Sequence, residues 1–213
     1  DINGCIATST ITVTVLPRPS VNAGQDQTFC GSPIQLQASG ASNYQWSNLT
    51  TGSVLGTNSG LSVNPGQTTQ YLLRGTDLFG CVAFDTITVY VPNASAGLTR
   101  ILCAGDSTQL SGTLFNAQPG SGVSYLWSSS NSQSGITNPN SAITFVKPAI
   151  SGTYTYTVTI TSNGCTFTSS VNVIVLPKPT ISLGSNLRIA PGSSISISPS
   201  ISGVSSTTTY QWT

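Results

Sequence analysis

The pattern Tyr-x-Trp occurs three times, at Tyr44-Gln45-Trp46, Tyr125-Leu126-Trp127 and Tyr210-Gln211-Trp212. A second pattern keeps step with it. Gly-Cys opens an alternating segment at Gly4-Cys5, Gly80-Cys81 and Gly164-Cys165. Two independent marks in one register at a spacing of about 80 residues describe a tandem array of one small module. This constrains the chain more than its length does, because each module must bury its own core. The register predicts the tail of one module over 1–17, complete modules over 18–92 and 93–177, and the opening strands of another over 178–213. The chain therefore reads as a window cut from a longer array.

Within a module the hydrophobic pattern has period two. Ile34, Leu36 and Ala38 alternate with Gln35, Gln37 and Ser39. Ile87, Val89 and Val91 alternate with Thr86, Thr88 and Tyr90, and Val171, Val173 and Val175 close the second module in the same way. Such alternation is the signature of half-buried strands. Ile11, Val13 and Val15 are expected to face inward as the last strand of the first partial module. Tyr44 with Trp46, and Tyr125 with Trp127, share a strand face because side chains two apart point the same way. About seven short strands per module, with Trp on the third, predict an all-β chain of tandem immunoglobulin-like sandwiches. Trp46, Trp127, Tyr44 and Tyr125 are then core anchors. Leu16-Pro17-Arg18-Pro19 and Leu176-Pro177-Lys178-Pro179 are near copies, and proline stiffens such joints toward extended backbone. Modules arranged end to end as a semi-rigid rod follow.

Charged residues make up 5% of the chain, and its net charge is +1. That provides no field for nucleic acid or an anionic membrane. No apolar run is long enough to span a bilayer. There is no His and no Glu, and the carboxylates Asp1, Asp26, Asp77, Asp85 and Asp106 are scattered. Acid–base catalysis and metal chemistry need such groups gathered at one place, so the expectation is a non-enzymatic protein with no cofactor, metal or catalytic residue. Asp77 and Asp85 flank one hairpin and read as solvated turn residues. Tyr90 is the outward aromatic a sugar could stack on, but no row of aromatics accompanies it.

The five cysteines fall at equivalent places in the repeats, which suggests disulfides and an oxidising, extracytoplasmic setting. Two pairings are open. Within modules, Cys30 would join Cys81 and Cys103 would join Cys165. Strand lengths favour the other pairing: Cys30 and Cys81 fall at opposite ends of a sandwich, and a disulfide needs Cα atoms within about 7 Å. Cys30 with Cys165, stapling adjacent modules, satisfies that limit in an end-to-end array. Cys5, Cys81 and Cys103 would then find partners outside the pair.

The run Asn22-Ala23-Gly24-Gln25-Asp26-Gln27-Thr28-Phe29-Cys30, followed by Tyr44-x-Trp46, Thr68-Thr69-Gln70-Tyr71, Asp77-x-x-Gly80-Cys81 and Asp85-Thr86-Ile87-Thr88-Val89, resembles the PKD-like and Ig-like repeats of Bacteroidetes surface proteins. These include large gliding-motility adhesins exported by type IX secretion. The last segment departs from the pattern, with Ala190 in the place of Cys30 and Cys103. The resemblance implies a stalk in a cell-surface adhesin or filament. Its partners would be neighbouring modules of the same longer chain and a surface polysaccharide or protein ligand. It also marks Thr86 and Ser107 as candidate O-glycosylation sites. Asn48-Leu49-Thr50 and Asn93-Ala94-Ser95 match the N-glycosylation pattern. Two other readings compete: carbohydrate-binding or spacer modules of a secreted hydrolase, and a self-assembling filament subunit.

Overall fold

The computed structural model describes every residue except 1, 5, 205–208, 210, 212 and 213, so Cys5 and the third Tyr-x-Trp lie outside the described residues. Among the described residues all regular elements are strands, and the chain divides into two compact units, 1–91 and 92–213. The architecture is that of tandem immunoglobulin-like β-sandwich modules.

Unit 1 contains β1 (Gln27–Thr28), β2 (Ile34–Gln37), β3 (Asn43–Asn48), β4 (Val54–Gly56), β5 (Gly60–Val63), β6 (Thr69–Thr76) and β7 (Val82–Tyr90). One sheet runs β1-β7-β6-β3-β4, and β2 pairs with β5 in a second layer. Alternation decides what each layer offers the other. Leu36 and Val63 come from the small sheet. Trp46, Tyr71, Leu73, Ile87 and Val89 come from the large one, and these side chains form one buried cluster. Trp46 is wholly buried. Truncating a side chain of that size would cost about 3–5 kcal/mol.

Unit 2 contains β8 (Asn93–Ser95), β9 (Arg100–Cys103), β10 (Thr108–Ser111), β11 (Thr113–Phe115), β12 (Val123–Ser129), β13 (Ile143–Val146), β14 (Gly152–Ser162) and β15 (Cys165–Leu176). Its main sheet is β12-β14-β15-β9, faced by β10-β13, with β8-β11 as a further pair. Trp127 pairs across from Val158 as Trp46 does from Leu73. The hydroxyl of the buried Tyr156 donates to Ser134 O at 2.6 Å. Burial, and then the neighbouring Tyr154, push the Tyr156 phenol up to about 12.

The burial pattern fixes the equivalence of the modules residue by residue. Tyr71 opposite Ile87 matches Tyr156 opposite Val171, and Gln27 opposite Val89 matches Arg100 opposite Val173. One difference is informative. Gly75 stands where Ile160 is buried. A Cβ there would run into Val21 Cγ2 and lie 2.8 Å from Ala41 Cβ. Module 1 fills from Val21 and Ala41 the space that module 2 fills from its central strand.

The terminal segments differ from expectation. Residues 6–17 form no strand, and Ile11, Val13 and Val15 are 78–88% exposed rather than inward-facing. The register explains this. Those positions correspond to Ile87, Val89 and Val91, whose burial depends on β6 beside them, and among the described residues no strand pairs with 6–17. Over 178–213 three strands were expected. The described residues form one pair, β16 (Thr180–Ser182) with β17 (Ser200–Ser202), with Ile181 opposite Ile201. This pair repeats the β8–β11 pairing and the isolated bridge between Asn22 and Ser39.

Candidate functional site: the cysteine-bearing ends of the modules

Each complete module carries one cysteine at each end, and local chemistry holds both. At the start of the last strand of module 1, Asp77 Oδ1 accepts the Phe79 and Cys81 amides at 2.9 and 2.8 Å. The Asp77 amide in turn donates to Cys81 O. Gly80, at φ +84°, supplies the left-handed residue that this five-residue turn needs. In module 2 the same position is closed by Asn163-Gly164, with φ of 49° and 75°. That is the chemistry of a tight two-residue hairpin. Cys165 follows it, buried. Counting from the paired residues, Cys81 and Cys165 are equivalent: Val82 is opposite Thr76, and Thr166 is opposite Thr161.

The other cysteine lies where the parallel edge strand leaves the sheet. Cys103 is opposite Leu176, the last residue of β15. Cys30 follows Thr28, which is opposite Tyr90, the last residue of β7. Cys103 and Cys165 therefore sit at the two ends of β15, separated by roughly 36 Å at the rise of a strand. Cys30 and Cys81 are separated by about 30 Å on the same rise. Neither distance admits a disulfide. Accordingly, Cys81 and Cys103 are free thiols, while Cys30 and Cys165 are each disulfide-bonded. The intramodule pairs Cys30–Cys81 and Cys103–Cys165 are not formed. Strand length is the physical reason.

The carboxylates of Asp85 and Asp26, like that of Asp77, serve the backbone. Asp85 Oδ2 accepts the Ala23 amide at 2.7 Å, and Oδ1 accepts that of Thr86. Asp26 Oδ1 accepts the Thr88 amide at 2.8 Å. In module 2 the place of Asp85 is taken by Ser169, whose hydroxyl accepts the Ala96 amide at 3.1 Å. An acceptor side chain on the last strand thus pins the first strand in both modules. Asp85-Thr86-Ile87 has this structural job whether or not Thr86 is modified; Thr86 and Ser107 are both exposed. Among the described residues, no group of three or more His, Cys, Asp or Glu could hold a metal, and no helix is long and apolar enough to cross a membrane.

Sequence reasoning missed a further repeated device. Gly24, Gly97 and Gly184 all have φ between 81° and 90°. Their amides donate to Asn22 Oδ1, Ser95 Oγ and Ser182 Oγ at 2.7, 3.2 and 3.3 Å. A polar residue two before a glycine marks the same turn three times. The signal was present as Asn-Ala-Gly, Ser-Ala-Gly and Ser-Leu-Gly, but it is too short to stand out beside the Trp and Cys marks. Tyr44 and Tyr125 are half-buried and pack against the two cores. Tyr44 closes a local loop through Ala41. The Trp127 indole donates to Ser141 O at 3.0 Å; that of the buried Trp46 finds no acceptor among the described residues. Tyr90 alternates with the buried Ile87 and Val89 and is half-buried on the outward side of β7. An open groove of about 450 Å³ lies where Leu16-Pro17-Arg18-Pro19 meets Asp77 and Phe79.

The family described as K319L-like, PKD domain, matches residues 96–175. No curated protein matches the chain. Among solved structures, the PKD domain of human KIAA0319 is 23% identical, with a TM-score of 0.36, over 48% of this chain and 88% of that one. The PKD domain of KIAA 1837 protein is 32% identical, with a TM-score of 0.33, over 40% and 87%. The I-band fragment I67–I69 of titin is 14% identical, with a TM-score of 0.38, over 78% and 68%. Module 2 is thus similar in sequence to the PKD domain of the K319L-like family, and module 1 follows the same strand register.

Proposed function

We propose that this segment is a non-enzymatic stalk of an extracellular bacterial adhesin or surface filament, of the Bacteroidetes gliding-motility type exported by type IX secretion. Its work is mechanical. Sandwich modules set a binding element away from the cell, and the joints between them are covalent. The observation that carries the reading is the oxidation pattern of the cysteines. Cys30 and Cys165 are both disulfide-bonded, and each one's only partner within its own module is either free or a strand length away. Cys30 bonded to Cys165 joins the far end of module 1 to the near end of module 2, a staple between repeats rather than within one. Disulfides persist outside the cytoplasm, which supports an extracellular setting. In such arrays, stability is roughly the sum of module and interface contributions, and a covalent interface raises the second.

Two measurements test this. Non-reducing peptide mapping should recover a linked peptide containing Cys30 and Cys165; a Cys30–Cys81 peptide refutes the staple. In the parent protein, in-frame deletion of residues 18–177 should shorten the surface projection seen by negative-stain electron microscopy while secretion continues. An unchanged projection rules out the stalk.

A further inference from the structure

The two free thiols are not isolated features. Cys103 occupies the register position of Cys30, and Cys81 that of Cys165. One member of each equivalent pair is oxidised in this structure and the other is reduced. Backbone hydrogen bonds anchor the edge strand beside each member of the first pair: Phe29 N, just before Cys30, donates to Tyr90 O, and Ala104 N, just after Cys103, to Leu176 O. Both free cysteines are partly exposed. Cys81 is held at its turn by the Asp77 carboxylate. Leu78 and Phe79 beside it are 85% and 74% exposed, an apolar surface at the module end next to the groove that Phe79 lines with Leu16–Pro19.

We propose that Cys103 and Cys81 are the two open halves of the same staple, complementary to each other, so that a second module of this repeat type bonds through a Cys103-to-Cys81 disulfide. The inference rests on the Cys30–Cys165 reading above. Its partner is defined chemically: a thiol opening the last strand of a like module, flanked by exposed apolar turn residues, meets a thiol ending the parallel edge strand of its neighbour. Such a contact is head-to-tail and does not close on itself, so it propagates linearly. In the step, the thiolate of one cysteine attacks a mixed disulfide formed by the other with a small disulfide oxidant such as glutathione disulfide. One S–S bond forms between the protein sulfurs. The two thiol protons and two electrons pass to the oxidant, which leaves as two molecules of glutathione.

The second copy is supplied by the chain itself. A Cys5→Ser form of the full 213-residue chain, which takes the fifth cysteine out of the exchange, is incubated at rising concentration in a glutathione redox buffer and mapped by non-reducing digestion. Random encounter gives Cys81–Cys103 links equal in amount to the two homotypic links together. Complementary module ends should give an excess of about tenfold or more, equivalent to roughly 1.4 kcal/mol of preference. They should also give a ladder of linear oligomers. Cys81→Ser and Cys103→Ser forms, each in the Cys5→Ser background, should both stop at dimers. A statistical mixture of links, or thiols that remain reduced at every concentration, overturns the proposal. The same digest reports the Cys30–Cys165 peptide separately. Its presence without a Cys81–Cys103 preference removes only this inference, and its absence removes the reading beneath it.

Discussion

A covalent bridge from Cys30 to Cys165 would change how the chain bears load. Residues 31–164 lie inside the loop it closes, and they include strands β2 through β14 and both buried tryptophans. Tension applied at the two ends would cross from Cys30 to Cys165 through sulfur, so the backbone between them could not be drawn out, while β15, outside the loop, would still be pulled against β14 and β9. At about 3.6 Å per extended residue, the loop hides roughly 480 Å of chain, and about 280 Å remains extensible outside it. The perturbation is reduction of the bond, or Cys30→Ser. The assay is single-molecule force spectroscopy with handles at the two termini. Oxidised molecules should stop near the shorter length. Reduced molecules, and the Cys30→Ser variant, should release the additional length in two steps as the modules open. Cys103→Ser should behave as the parent does. Oxidised molecules that extend as far as reduced ones would refute the reasoning, because the load would then be running through the modules.

Four further outcomes follow from particular contacts. Trp127→Phe should cost at least about 1 kcal/mol more than Trp46→Phe in denaturant midpoints, because only Trp127 donates a hydrogen bond, to Ser141 O. Asp85→Ala should destabilise module 1 by about 1.5–3 kcal/mol through the unpaired Ala23 amide, and Asp85→Ser, which copies Ser169, should restore most of it in thermal melts. Gly40→Ala should cost more than the roughly 1 kcal/mol expected of Gly31→Ala in chemical denaturation, for although both sit at φ +87°, only at Gly40 does a Cβ run into backbone, the Ser20 carbonyl. The Tyr156 phenol, raised to about 12 from an unfolded value near 10, keeps its contribution below pH 10 and loses it as pH rises toward 12, on the order of 2 kcal/mol, since the unfolded chain ionises first; Tyr156→Phe should flatten that limb in urea titrations at pH 9–11.

The sequence by itself determined the repeat, the strand class and the tryptophan on which each core is built. Period-two alternation permits no other element, and Trp46 and Trp127 recur on the strand face that a two-layer sandwich must bury. It also favoured the intermodule disulfide while leaving both pairings open, since a strand holds its two ends farther apart than a disulfide spans; the pairing of Cys103 with Leu176 came from the tertiary structure. Tertiary structure alone decided the rest. Ile11, Val13 and Val15 have the same alternation as Val171, Val173 and Val175, yet the first three are exposed and the second three buried, because alternation states which face is apolar and a neighbouring strand decides whether that face is covered. Asp85 could be read as a modification motif or a turn residue until the Ala23 amide was found against it, 62 residues away in sequence. Cys81 and Cys165 are spelled alike, in Gly-Cys; which of them is oxidised depends on what stands within bond length of the sulfur, and no local pattern encodes that.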